Sequence, residues 1–199
     1  MTDLLPPTPD GIARATELLR AGEVVAFPTD TVYGVAVSRA ADLPKLFALK
    51  DRPVDRRIPL LVADLAQATL AGWQADGRVE ALARRFWPGA LTLVLAMPDG
   101  ETQAFRAPDH PVALALIAAT GPIFATSANR SDEPDTLGAD EVLVAFATRP
   151  DELVAVIDGG RVPGGVASTV VDCTVDPARI LRPGPISRAE LADVVALAP

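Results

Sequence analysis

The sequence is short of the residues on which most enzyme chemistry rests. One cysteine, one histidine and two lysines, Lys45 and Lys50, occur among 199 residues. A single cysteine, Cys173, excludes an internal disulfide and a cysteine-rich zinc site; within the apolar run VVDCTV it reads as a buried, inert thiol. The single histidine, His110, cannot form a histidine metal cluster and would have to carry a catalytic triad alone. Standing before Pro111 at a helix start, it reads as a cap in preference to a base. No apolar run approaches the ~18 residues needed to cross a bilayer, and MTDLLPPTPD does not have the charged-then-apolar form of a leader. A cytoplasmic chain without membrane attachment is therefore expected. Basic runs are also missing. With 18 basic and 26 acidic residues the formal net charge is −8, so weak or no direct RNA binding is expected, because neutralising phosphates takes a basic face. No GxGxxG follows a strand and no lysine follows GGRVPGG, which leaves a dinucleotide fold or a P-loop unsupported.

What is present is a core. Hydrophobic residues make up 49% of the 199, enough for one domain over residues 1–199. Asp10 followed by IARATELLRAG predicts a helix over about 11–21, EVVAF and TVYGVAV predict strands, and DLPKLFALK predicts a short helix capped by Asp42 that delivers Lys50 at its end. RIPLLVADL reads as a buried strand turning into a helix, with helical patterns over 64–71 and 76–86. The corner Trp87-Pro88-Gly89 leads into the strand ALTLVLAM. Further strands are predicted at 102–107, GPIFATS, LVAVIDGG, ASTVVDCT and RILRPG, and helices at HPVALALIAAT, GADEVLVAFA and SRAELADVVALA, the last with Ser187 and Glu190 at capping-box spacing. Several strands are adjacent without a helix between them. The fold class is therefore α/β, a twisted mixed sheet with flanking helices.

Polar clusters follow these buried elements directly, where side chains can meet at a sheet edge. Residues 27–37, FPTDTVYGVAV, interrupt core-grade sequence with a proline, two hydroxyls and a carboxylate before returning through a glycine. Lys50 and Arg52 stand two apart with Pro53 behind them, a point charge and a fork of the kind a polyphosphate takes, or else part of a solvated basic patch with Arg56 and Arg57. Ser127 and Asn129 close IFATSAN as ligand donors or as a plain turn. Ser168 and Thr169 follow the glycine loop, and Arg106 and Arg182 each sit near a proline.

In chain order PTDTVYGVAV, LKDRP, WPGALTLVL, FRAPDHP, TSAN, IDGG, STVVD and LRPG resemble the motifs of the YrdC-type family, the threonylcarbamoyl-AMP synthases of tRNA modification. The resemblance spans roughly residues 12 to 186. It implies a twisted α/β sheet with a large concave face, and a nucleotidyltransferase that joins L-threonine, bicarbonate or CO2, and ATP into threonylcarbamoyl-AMP with release of pyrophosphate. It further implies that Lys50 and Arg52 hold ATP phosphates and act in catalysis, with Asn129, Thr136 and Arg182 on the nucleotide. Thr31, Arg106, Ser127 and Ser168 would hold threonine. Mg2+ would ride on the ATP phosphates rather than in a protein carboxylate cage, and the intermediate would pass to tRNA-modifying proteins. Little acid-base machinery is required, in keeping with the single histidine. The chain departs from the family pattern at Ala63, where a histidine is usual, and at RSDEPDTLG in place of S-G-x-x-S-x-T. Its end soon after LRPG resembles the short form of the family. Two other readings are a same-fold paralogue with altered carbamoyl-adenylate activity and an RNA- or nucleotide-binding module.

Overall fold

A computed structural model describes residues 1–51, 57–73, 76–131, 133–149, 151–164 and 166–199. Its strands are β1 (Asp3–Leu5), β2 (Val25–Pro28), β3 (Tyr33–Val37), β4 (Leu60–Leu61), β5 (Leu91–Ala96), β6 (Thr102–Arg106), β7 (Ile123–Ser127), β8 (Ala155–Ile157), β9 (Thr169–Asp172) and β10 (Arg179–Arg182). They form one sheet in the order β1-β8-β2-β3-β7-β4-β6-β5-β9-β10. The sheet combines parallel pairs such as β5 with β9 and antiparallel ones such as β3 with β7, so it is mixed as the strand pattern predicts. The helices are α1 (Pro9–Arg20), α2 (Leu43–Lys50), α3 (Leu65–Leu70), α4 (Gly77–Phe86), α5 (Pro111–Thr120), α6 (Ala139–Ala145) and α7 (Arg188–Ala192).

The period-2 alternation of the strands divides their side chains between two faces. On β2, Val25 and Phe27 pack under α1 and α5 with Leu19, Leu116 and Ile117. Their neighbour Ala26 joins Leu46 and Leu49 of α2 and Val142 of α6 on the other side. Toward the far edge, Leu91, Leu93 and Leu95 of β5, Phe105 of β6 and Val171 of β9 pack with Val79, Leu82 and Phe86 of α4 and Leu191 of α7. The residues between them, Thr92, Ala104, Arg106 and Val170, point the opposite way and line an open cleft. Helices α1 and α5 cover only part of that face. The uncovered part of the sheet is the concave surface.

Several local expectations change. Thr8, not Asp10, caps α1: its hydroxyl accepts from the Gly11 amide at 3.4 Å, and Asp10 falls in the first turn. Asp42 stands at the N-cap of α2 without a capping bond because Arg39 takes its carboxylate at 2.7 Å. The strand read in RIPLLVADL is only the pair Leu60–Leu61. Strand β1, three residues followed by Pro6 and Pro7, carries no periodic signal and exists through its parallel register with β8. The Ser187–Glu190 capping box is present at the start of α7. Among the described residues no helix is long and apolar enough to cross a membrane.

Candidate functional site

The polar interruption after β2 is a hydroxyl-built turn. Thr29 Oγ1 donates to the Val32 carbonyl at 2.7 Å and accepts from the amides of Thr31 and Val32 at 3.2 and 3.3 Å. This satisfies buried backbone groups locally and re-aims the chain into β3. Tyr33 buries its ring in the core, donates its hydroxyl to Gly160 O at 2.8 Å and accepts from the Gly159 amide at 3.2 Å. Burial raises its pKa, so it remains a neutral donor. The glycine loop is thereby pinned on the turn. A Cβ on Gly159 would lie 2.5 Å from Pro28 Cγ, which accounts for glycine there.

Arg106 ends β6 and is 9% exposed. Its Nε donates to Gly89 O at 3.1 Å, Nη1 to Thr31 Oγ1 at 3.1 Å and Nη2 to Asp30 Oδ1 at 2.6 Å. Gly89 belongs to the Trp87-Pro88-Gly89 corner, which is tied back to β6 by its amide on Ala107 O at 2.7 Å. The corner therefore fixes the guanidinium as well as the approach to β5. Asp30 was not singled out by the motifs taken as ligand contacts, yet it is the direct partner of Arg106 in a pair only 11% and 15% exposed.

Lys50, at the end of α2, is 2% exposed. Its Nζ donates to Ser127 O, to Asn129 O at 2.5 Å and to Asn129 Oδ1 at 3.1 Å. Ser127 Oγ donates to the same Oδ1 at 2.6 Å, and Asn129 Nδ2 donates to Glu133 O at 2.5 Å. Lys50 is thus the post around which the Ser-Ala-Asn turn is wrapped. The next residue, Asp51, adopts a left-handed φ of 51° and pairs with both Arg130 and Arg149 at 2.6 Å. Those bonds hold its carboxyl below the usual range and clamp the end of α2 to the turn. Thr136 Oγ1 donates to Ala128 O at 2.9 Å and does not line the cleft. Arg52 lies outside the described residues.

Ser168 and Arg182 meet on the other wall. Arg182 donates Nε and Nη2 to Ser168 O at 3.1 and 2.9 Å and Nη2 to Ser168 Oγ at 3.2 Å. Gly184 permits this approach, since a Cβ there would fall 2.4 Å from the Thr169 amide nitrogen. Burial, then the charge of Arg106, lowers the pKa of Arg182. Two guanidinium groups therefore sense each other across one cleft.

The cleft encloses about 490 Å³ and is lined by Thr31, Arg106, Ser127, Ser168 and Arg182 together with Thr29, Arg57, Thr92 and Asp135. Five of the residues named from sequence converge directly, and Lys50 and Asn129 stand one contact behind Ser127. Thr92 was missed. Its signal was available, as the one polar side chain in ALTLVLA at a position alternating with Leu91, Leu93 and Leu95. His110 caps α5, its Nδ1 accepting from the Val112 amide at 3.3 Å. Cys173 is buried and its thiol is pushed up to about 12, an inert group.

This arrangement can hold an anion between two arginines, orient hydroxyl-bearing ligands, and keep charge separated on a preformed scaffold. The chain is similar to known proteins. A family model named for Sua5, YciO and YrdC and described as "Telomere recombination" matches residues 17–184. A threonylcarbamoyl-AMP synthase of Bacillus subtilis is 41% identical over 98% of this chain, and one of Pyrococcus abyssi is 36% identical over 91%. The chain spans 59% and 56% of those two relatives. The crystal structure of P. abyssi Sua5 complexed with L-threonine superposes with a TM-score of 0.89 at 33% identity, covering all of this chain and 63% of that one.

Proposed function

The chain belongs to the Sua5/YciO/YrdC family, and on that footing we propose that it makes threonylcarbamoyl-AMP from L-threonine, bicarbonate and ATP, releasing pyrophosphate. The observation that carries the reading is the meeting of Thr31, Arg106, Ser127, Ser168 and Arg182 around one cleft backed by Lys50 and Asn129. The threonine complex is that of the P. abyssi relative; here Arg106 is assigned to the threonine carboxylate and Thr31, Ser127 and Ser168 to its polar groups. Arg182 is assigned to the triphosphate with Arg52. Asn129, with Thr136 behind it, shapes the nucleotide side.

The chemistry asks for positioning more than for proton transfer. The carboxylate of a carbamate formed on the threonine nitrogen attacks the α-phosphorus of ATP; a new C–O–P linkage forms, the α–β phosphoanhydride bond breaks, and its electron pair leaves on pyrophosphate. Arg182, which lines the open cleft, neutralises the growing charge on the leaving group from a fixed position. Lys50 acts in this arrangement by fixing Ser127 and Asn129 and by lending positive charge from behind them.

Mg2+ is assigned to the ATP phosphates, where it would supply charge neutralisation. Among the described residues no cluster of three histidine, cysteine or acidic side chains could hold a metal ion, and the cleft's guanidinium groups and hydroxyls fit an ion carried on the nucleotide. Asp135 lines the cleft and would face such an ion as a carboxylate. We place the reaction in the cytoplasm, with tRNA-modifying proteins receiving the product.

Pyrophosphate release from ATP tests the reading directly. It should require threonine and bicarbonate together, and omission of either should reduce it to background. Release that is indifferent to both contradicts the assignment.

A further inference from the structure

Thr92 of β5 and Ser168, which immediately precedes β9, approach across the parallel pairing that sets Leu91 against Thr169. Their hydroxyl oxygens are 2.7 Å apart, each residue is 4% exposed, and both line the cleft. Arg182 Nη2 donates to Ser168 Oγ from 3.2 Å. Hydroxyl arithmetic then limits what the pair can offer. Two hydroxyls own two protons, and each oxygen accepts through two lone pairs. One proton occupies the line between the oxygens, whichever residue owns it. Arg182 brings its own proton and fills a lone pair on Ser168. Neither hydroxyl has another acceptor among the described residues, so the second proton is directed to the cleft.

We infer that Thr92 and Ser168 form one binding unit that presents a single proton to the ligand, so that Thr92 is a ligand-positioning residue and the group facing the pair is an anionic acceptor oxygen. The count holds for either direction of the shared bond. Arg182 adds positive charge behind the donated proton, which disfavours an ammonium at this point and favours a carboxylate or phosphate. The inference rests on the proposed synthase reading only for the ligand's identity.

Calorimetric titration of the whole chain with L-threonine and, separately, with ATP tests it on the wild type, T92V, T92S, S168A and T92V/S168A. T92V and S168A should each weaken the same ligand about tenfold, because the surviving hydroxyl keeps its proton but loses the partner that aims it at the ligand. The double variant should fall within about twofold of the weaker single, because the two act as a unit, and T92S should recover most of what T92V loses. Loss on threonine places the oxygen on the amino acid; loss on ATP places it on a phosphate. Losses that multiply in the double variant overturn the inference, as does T92V binding both ligands like the wild type. T92A serves the same comparison if T92V does not fold. A wild type that binds ATP but not threonine removes the synthase reading, while the ATP titrations still decide the coupling; one that binds neither removes both.

Discussion

Lys50 and Asn129, 79 positions apart in the chain, meet in a buried contact of 3.1 Å between Nζ and Oδ1. The same ammonium also takes the carbonyls of Ser127 and Asn129. A lysine whose charge is held this way is structural and electrostatic at once. Removing it leaves the buried acceptors of Asn129 without this donor.

Lys50→Ala should therefore lose both activity and stability. Turnover should fall well over tenfold, and unfolding free energy should fall by about 1 to 3 kcal/mol, the cost of stranding buried acceptors. Parallel pyrophosphate assays and urea titrations measure the two. Sequence reasoning alone expects folding to be unaffected, because position shows the residue type and its neighbours but not which carbonyls will surround it.

For Arg106, replacement by lysine should fail to restore what alanine loses. The guanidinium reaches Gly89 O, Thr31 Oγ1 and Asp30 Oδ1 with three separate nitrogens, a fork that an ammonium cannot reproduce. Both variants should raise KM for threonine at least tenfold, with a smaller change in KM for ATP. Equal effects on the two substrates would move Arg106 away from the amino acid.

Gly184→Ala should act on Ser168 without touching it chemically. The added Cβ would lie 2.4 Å from the Thr169 amide nitrogen and 2.6 Å from Ala167 O, both backbone atoms that cannot swing aside. Strand β10 must shift, and Arg182 with it. A lower Tm together with weaker ATP binding is expected, and a variant with both unchanged would show that the close approach is dispensable.

His110 gives the fold a pH dependence. Burial depresses its pKa below the ordinary 6.5, outweighing the opposing pull of Asp30 and Asp109, and Nδ1 must be unprotonated to accept from Val112. A histidine held neutral in the folded state contributes stability above its unfolded pKa. That contribution is lost as pH falls through 6.5 and on to the depressed folded value. His110→Asn retains a capping acceptor with no titration. The Tm difference between wild type and variant should thus move in the variant's favour between about pH 7.5 and pH 5; a constant difference would remove His110 as the cause.

The sequence and the structure part company where information is non-local. Alternation and capping residues placed nearly every strand and helix, because Leu91, Leu93 and Leu95 or Ser187 with Glu190 state their roles within a few positions. Strand β1 is invisible in the sequence because three residues running into Pro6 and Pro7 have no period, and only β8 makes them a strand. In the site, motif residues such as Thr31 and Ser168 were legible by resemblance. Asp30 carries no such signal, since its importance lies in its contact with Arg106, whereas Thr92 is marked only as the one polar residue alternating with leucines in ALTLVLA and its role shows in its contact with Ser168.

The most direct measurement is mass spectrometry of the product formed from ATP, L-threonine and 13C-bicarbonate. One labelled carbon should appear in an adduct that joins threonine to AMP, with pyrophosphate formed in equal amount. An adduct without the label, or ATP consumed with no adduct at all, would contradict the function assigned to this cleft.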